Sequence, residues 1–251
     1  MEGRMLSRAE FLRSGLLATG GLLFGGRAAG EAPGVPQRGD SVDNLVLDGS
    51  EAVGSPFLMR GARNTKRVAL TFDDGPSPGV TPRVLETLRK YKIHATFFMI
   101  GQRVVESPGL AKEVRDAGHE LANHTFTHPT LGSMSAERVT NEIHQCQDAI
   151  EKHVGVKPSW FRPPYGSFRS SQGPIARMER LSIVIWSVDP RDWSRPGAQA
   201  IQQRILGNTA GGDIILCHDL HSQTADAAPG IVEGLLERGF QPCTLSDLIL
   251  G

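Results

Sequence analysis

The sequence predicts an α/β fold in which parallel strands alternate with helical crossovers, of a size that suits a small, incomplete β/α barrel of about seven strands. Three observations predict it. From Lys66 onward, short β-type runs alternate with longer segments of helical character. Six or seven such repeats occupy about 185 residues, which suits an incomplete barrel better than an open sheet. Finally, residues able to do chemistry fall at the ends of five separate strands. In a parallel barrel all those ends open on one face.

Taken in order, Arg67–Phe72 is the first strand, built on Val68-Ala69-Leu70, and Asp74-Gly75-Pro76 turns the chain after it. Helix Pro82–Tyr91, strand Ala95–Ile100 and helix Gly109–Ala117 follow, with Gly118 as a C-terminal stop. Glu120–Asn123 is the third strand. Ser135 followed by Arg138 is an imperfect cap for the helix Ala136–His153, and Gly155 sits just past its end. Trp160–Phe161 is a short strand, Gln172–Leu181 a helix and Ile183–Val188 a strand. Helix Ala198–Asn208, strand Ile214–Cys217, helix Ala225–Arg238 with Gly239 behind it, and strand Gln241–Thr244 complete the domain, assigned to 65–251.

The N-terminal region is of a different kind. Arg4, Arg8 and Arg13 precede an apolar, Gly-rich stretch from Gly15 to Gly26, and Ala28-Ala29-Gly30 offers a small-residue cleavage site. These are the parts of a secretory signal over residues 1–30. The apolar stretch is short against the ~20 residues of a membrane span, so no stable span is expected after cleavage. Ser7-Arg8-Ala9 approaches a twin-arginine signal but has Ala9 at the second Arg position, which leaves the export route open. The expected destination is periplasmic, cell-envelope or extracellular. Residues 31–64, rich in Gly, Pro, Ser and Asp, read as a linker or irregular N-terminal segment.

The 251 residues are 39% hydrophobic and 22% charged, as in an ordinary globular protein. With 27 basic and 27 acidic residues there is no electrostatic reason to expect a nucleic-acid partner. Cys146, Cys217 and Cys243 are an odd number and imply no disulfide framework, and Cys217 in its apolar run reads as a small buried residue.

Two adjacent carboxylates, Asp73 and Asp74, end the first strand, and His124 and His128 follow the third. One Asp and two His make a three-ligand site for a divalent metal with positions left for water. The other Asp is then available as a base toward that water, which points to a metal-dependent hydrolase. Each piece has a plainer reading. Asp-Gly is common in turns, and adjacent strand residues face opposite sides unless the chain turns between them. Arg162-Pro163-Pro164-Tyr165, Asp189-Pro190-Arg191-Asp192-Trp193 and Leu216-Cys217-His218 stand at three further strand ends.

Together these five motifs resemble the NodB-homology polysaccharide deacetylases, carbohydrate esterase family 4, over roughly residues 66–250. The resemblance implies a distorted (β/α) barrel and the removal of acetyl groups from N-acetylated glycans such as peptidoglycan or chitooligosaccharide, with O-acetylated xylan as the contrasting case. It implies that Asp74, His124 and His128 hold a metal, zinc first and cobalt or another divalent ion as alternatives, and that Asp73 is the base. It gives the backbone N–H of Tyr165 to the oxyanion and makes His218 the acid for the amine leaving group. By the same resemblance Arg162 orients Asp73, Asp192 rather than Asp189 partners His218, and Trp193 and Leu216 wall the acetyl pocket. Two competing readings remain: a catalytically silent carbohydrate-binding relative and a different 2-His-1-carboxylate enzyme, a non-haem iron oxygenase. Neither a lost ligand nor a lost acid favours the first, and the separate acid and base disfavour the second.

Overall fold

The computed structural model describes residues 58–250. The expected signal segment 1–30 and most of the segment 31–64 lie outside the described residues. Seven parallel strands form one sheet: β1 (Arg67–Asp73), β2 (Thr96–Met99), β3 (Glu120–Asn123), β4 (Trp160–Phe161), β5 (Ser182–Ile183), β6 (Ile214–His218) and β7 (Gln241–Cys243). Their order is β5-β4-β3-β2-β1-β6, and β7 also pairs with β1. Strand β1 therefore serves three neighbours. Its first residues pair with β7, Thr71–Asp73 with β2, and Ala69–Asp73 with β6.

The helices are α1 (Thr81–Tyr91), α2 (Gly101–Glu106), α3 (Pro108–Asp116), α4 (Ala136–Val154), α5 (Gly173–Met178), α6 (Ala198–Asn208), α7 (Ser222–Glu237) and α8 (Leu245–Leu250). Ser135 does cap α4, accepting from the Arg138 N–H at 3.4 Å, and Gly155 ends it in the left-handed conformation at φ 78°. Helix α7 begins three residues before the expected Ala225, because the polar turn Ser222-Gln223-Thr224 is helical, and it continues through Pro229. Two helices had no counterpart in the sequence reading: α2, which opens on a glycine, and α8, which is six residues long.

Strand alternation sorts the side chains. Val68, Leu70 and Phe72 join Phe97, Met99, Val84, Leu88, Val232 and Leu235 in the core between sheet and helices. Ala69, Phe98, Ala122, Val184 and Ile214 face inward, and Leu245 and Leu248 of α8 plug that end. The same inward row continues up β1 through Thr71 to Asp73, so an apolar barrel floor gives way to polar groups at the C-terminal mouth.

The expected strand Ile183–Val188 is shorter than its apolar run. After Ile183 the chain changes partners: the Ile185 N–H donates to Leu58 O, and Val184 bridges Leu58. Further on, Val188 bridges Ile215 of β6. The sheet thus curls toward closure through isolated bridges rather than a full strand, which makes the barrel distorted. Leu58 and Arg60, inside the expected irregular segment, pair with Val184 and Asp213 and are part of this closure.

Candidate active site

Strand β1 delivers Asp73 into the barrel mouth, where it is 2% exposed. Asp74 lies one residue on and would face away if the strand continued. Its φ of 76° turns the chain there instead. Both carboxylates consequently reach His124, whose Nε2 is 3.7 Å from Asp73 Oδ2 and 3.5 Å from Asp74 Oδ1. Gly75 permits this turn, since a Cβ there would sit 2.3 Å from Asp219 Oδ2.

His124 and His128 lie on a loop after β3, not on a helix. Thr125 and His128 take φ of 67° and 62°, folding the loop back on itself. The ring centroids lie 4.9 Å apart, and His128 Nε2 is 3.2 Å from Asp74 Oδ1. His124 Nδ1 meets Arg162 O at 2.7 Å, so it carries the proton and leaves Nε2 with its lone pair toward the centre. Burial, with the neighbouring His124 imidazole second, takes His128 down to about 4, so it is neutral at ordinary pH. Burial works against ionisation of Asp74, but the imidazoles around it, His124 first and then His218 and His128, outweigh it and hold that carboxyl well below its usual range.

Asp74, His124 and His128 are the one set of potential metal-ligating side chains found among the described residues, their ligand atoms within 4.8 Å of one another. The set fits a divalent ion of the zinc type. Ligands at the ~2.0–2.1 Å bond lengths of tetrahedral zinc stand about 3.3 Å apart, close to the spacings just given. Asp74 Oδ1 is buried with no hydrogen-bond partner, as suits a ligand atom.

Arg162 follows β4 and is fully buried. Its Nη1 donates to Asp73 Oδ1 at 2.6 Å and to Thr71 Oγ1 at 2.8 Å, and its guanidinium lies 4.0 Å from the Phe98 ring centroid. This anchors one carboxylate oxygen and leaves Oδ2 toward the centre. On the other side, β6 brings His218 to the mouth. The expected choice between Asp192 and Asp189 resolves geometrically. Asp192 Oδ1 is 2.7 Å from His218 Nδ1, whereas Asp189 Oδ1 accepts from the Arg191 N–H. Asp192 Oδ2 also accepts from the His218 N–H at 2.8 Å and Thr224 Oγ1 at 2.7 Å. Burial opposes the charged imidazole, but the Asp192 hydrogen bond and charge, then Asp74 and Asp73, raise His218 to about 9.

Tyr165 sits at φ 60° with its ring centroid 4.8 Å from that of His128, and is 56% exposed. Leu216 shares the inward face of β6 with His218 and is buried, while Trp193, next to Asp192, is exposed at the rim. Two residues of this region were given no role from the sequence. Glu142 of α4 accepts hydrogen bonds from the loop after β3 that carries His124 and His128. Asp219 is fully buried beside the Asp73–Gly75 turn, accepts from Thr81 Oγ1 at 2.5 Å, and is raised to about 7, first by burial. A carboxylate directly after His218 at a strand end was the signal available for Asp219.

A family model described as polysaccharide deacetylase matches residues 60–181. The chain is 42% identical over 191 residues to a peptidoglycan-N-acetylglucosamine deacetylase of Bacillus cereus, covering 74% of this chain and 89% of the relative. It is 38% identical over 185 residues to the peptidoglycan-N-acetylmuramic acid deacetylase PdaC of Bacillus subtilis; the match covers 74% of this chain but only 39% of that relative. Among solved structures, the wild-type Bacillus anthracis BA3943, a CE4 family pseudoenzyme, superposes with TM-score 0.75 at 33% identity, over 77% of this chain and 69% of that one. The strand ends, the curled parallel sheet and these similarities agree: the chain belongs to the polysaccharide deacetylase family, carbohydrate esterase family 4.

Proposed function

We propose that this protein is an exported, metal-dependent deacetylase that hydrolyses N-acetyl groups of N-acetylglucosamine-containing glycans, peptidoglycan or chitooligosaccharide, to free amine and acetate. The observation that carries the reading is the pair of dyads, the buried Arg162–Asp73 and the part-buried Asp192–His218, at one mouth with the Asp74, His124 and His128 set. A divalent ion held by those three residues, with zinc first and cobalt as the alternative, would lower the pKa of a bound water and polarise the acetyl carbonyl.

The chain's own residues supply the rest. Asp73 Oδ2 takes the proton of the attacking water, while Arg162 fixes the other oxygen and so the carboxylate's orientation. The Tyr165 N–H donates to the oxyanion that forms on the carbonyl. The C–N bond then breaks, and His218 Nε2 gives its proton to the departing nitrogen, since an amine leaves poorly unless protonated. His218 is charged for that task because Asp192 holds Nδ1–H. Leu216 closes the barrel side of the acetyl methyl and Trp193 covers the rim. Export rests on the composition of residues 1–30.

Acetate release by residues 31–251 tests the proposal, after chelation and after adding back zinc or cobalt, on chitooligosaccharide, purified peptidoglycan and acetylxylan. Metal-restored acetate from an N-acetylated glycan supports it. Acetate from acetylxylan alone makes the protein an O-acetyl esterase. Glycan binding without acetate from any substrate makes it a silent relative.

A further inference from the structure

We propose that Glu142 is the positioning residue of the metal loop, holding His128 against Asp74 through the backbone of Phe126 and Thr127. The inference rests on the metal reading above and concerns how this chain builds that site. Glu142 lies in the second turn of α4 and reaches across to the loop after β3. Its Oε2 accepts from the Phe126 N–H at 3.0 Å and the Thr127 N–H at 2.8 Å, and its Oε1 accepts from Thr127 Oγ1 at 2.7 Å. One side chain thereby satisfies every donor of the two residues that separate Thr125 from His128.

The opposite edge of the same loop is held by α2. The Gly101 N–H donates to Thr125 O and the Gln102 N–H to Phe126 O, both at 3.0 Å. These are helix N-terminal amides with no partner inside their own helix. The loop is therefore clasped on its carbonyl side by α2 and on its amide side by Glu142. Within it, the His128 N–H donates to Thr125 Oγ1 at 3.1 Å, and the Thr125 N–H to Asn123 Oδ1 at 2.9 Å.

The two histidines depend on this clasp unequally. His124 is placed by the sheet: its N–H donates to Met99 O of β2 at 3.0 Å, and its Nδ1 meets Arg162 O. His128 comes four residues later at φ 62°, a conformation that costs a side-chain-bearing residue free energy and persists only when its surroundings impose it. Without Glu142 the Phe126 and Thr127 amides must find water. The folded-back loop then competes with more open ones, and His128 leaves Asp74.

The test compares Glu142→Gln, Glu142→Asp and Glu142→Ala with wild type and with Asp148→Ala, a control on an exposed part of the same helix. Zinc affinity is measured by chelator competition, the cobalt(II) visible spectrum reports coordination, and melting of the metal-free proteins reports folding. Gln keeps the reach: its carbonyl oxygen can accept both amides and its NH2 can donate to Thr127 Oγ1. Asp keeps the charge but is one methylene short. The expected order is wild type and Gln together, with Asp and Ala roughly 10- to 100-fold weaker for zinc and altered in the cobalt spectrum. Equal zinc affinity in all variants overturns the proposal, and so does a Gln variant as weak as Ala, which would mean that the negative charge acts on the ion directly. If Ala fails to fold, the Gln–Asp comparison decides alone. A wild-type protein that binds neither ion overturns the metal reading itself, an outcome distinct from the other two.

Discussion

Replacing Asp192 with Asn tests the acid half of the site. His218 is largely shielded from water, which by itself disfavours its charged form, yet it is raised to about 9, with the Asp192 hydrogen bond and charge the largest upward causes. Removing that charge takes the upward causes down to Asp74 and Asp73, and His218 falls to its ordinary ~6.5 or below. At pH 7.5 a group titrating near 9 is about 97% protonated, whereas one near 6.5 is about 9% protonated. The variant should therefore lose roughly tenfold in acid-competent enzyme at pH 7.5. At pH 6 that part of the deficit should nearly vanish. The assay is kcat/KM for acetate release between pH 5.5 and 10, with metal saturating. The alkaline limb should move from about 9 to about 6.5 or lower. A limb that stays near 9, with activity reduced equally at every pH, would refute the reasoning and leave Asp192 only a structural partner of Thr224 and the His218 backbone.

Three other perturbations follow from the geometry. Arg162→Met leaves the buried Asp73 carboxylate without its cation. It should cost on the order of 3–5 kcal/mol in urea unfolding and abolish acetate release. Gly101→Ala puts a Cβ 2.6 Å from Phe126 Cδ2 and 2.9 Å from the Cys146 Cα. It should destabilise by about 1–3 kcal/mol and weaken zinc binding through the same loop, both absent if the loop tolerates the shift. Asp219→Asn should stabilise the metal-free protein at pH 8 relative to wild type. A carboxyl whose folded pKa is raised from 3.8 to about 7 loses stability as pH climbs between those values. The advantage should vanish near pH 4, and thermal melting at the two pH values checks it.

Much of the fold was legible because the physics behind it is periodic. Strands buried on both faces of a parallel sheet read as apolar runs, and Glu120–Asn123 and Trp160–Phe161 fell where expected. Helix ends were legible where a residue type is required, as with Ser135 and Gly155 around α4. The run Ile183–Val188 misled because apolar character reports burial rather than pairing. Val184 and Ile185 are buried, but their partner is Leu58 rather than a continuous neighbouring strand. Helix α2 was invisible for the opposite reason. Gly101 is a poor helix former and is there because Phe126 and Cys146 leave no room for a side chain.

The site was legible in its reactive groups and not in what holds them. Asp73, Asp74, His124, His128 and His218 announce themselves because carboxylates and imidazoles at the ends of apolar strands need a reason to be there. Glu142 gives no such signal. It is one acid among several on a half-exposed helix, and its value comes from two backbone amides sixteen and fifteen residues earlier. The division of labour between Asp73 and Asp74 is hidden in the same way. Both are aspartates on one short run, yet Asp73 is the last residue in strand register and so meets Arg162 on the barrel axis. Asp74 is the first residue out of register, turned by its positive φ onto the two histidines. Backbone conformation, not residue type, makes one the partner of an arginine and the other the partner of the histidines. Exchanging their roles by substitution would therefore require moving the turn by one residue rather than changing either side chain.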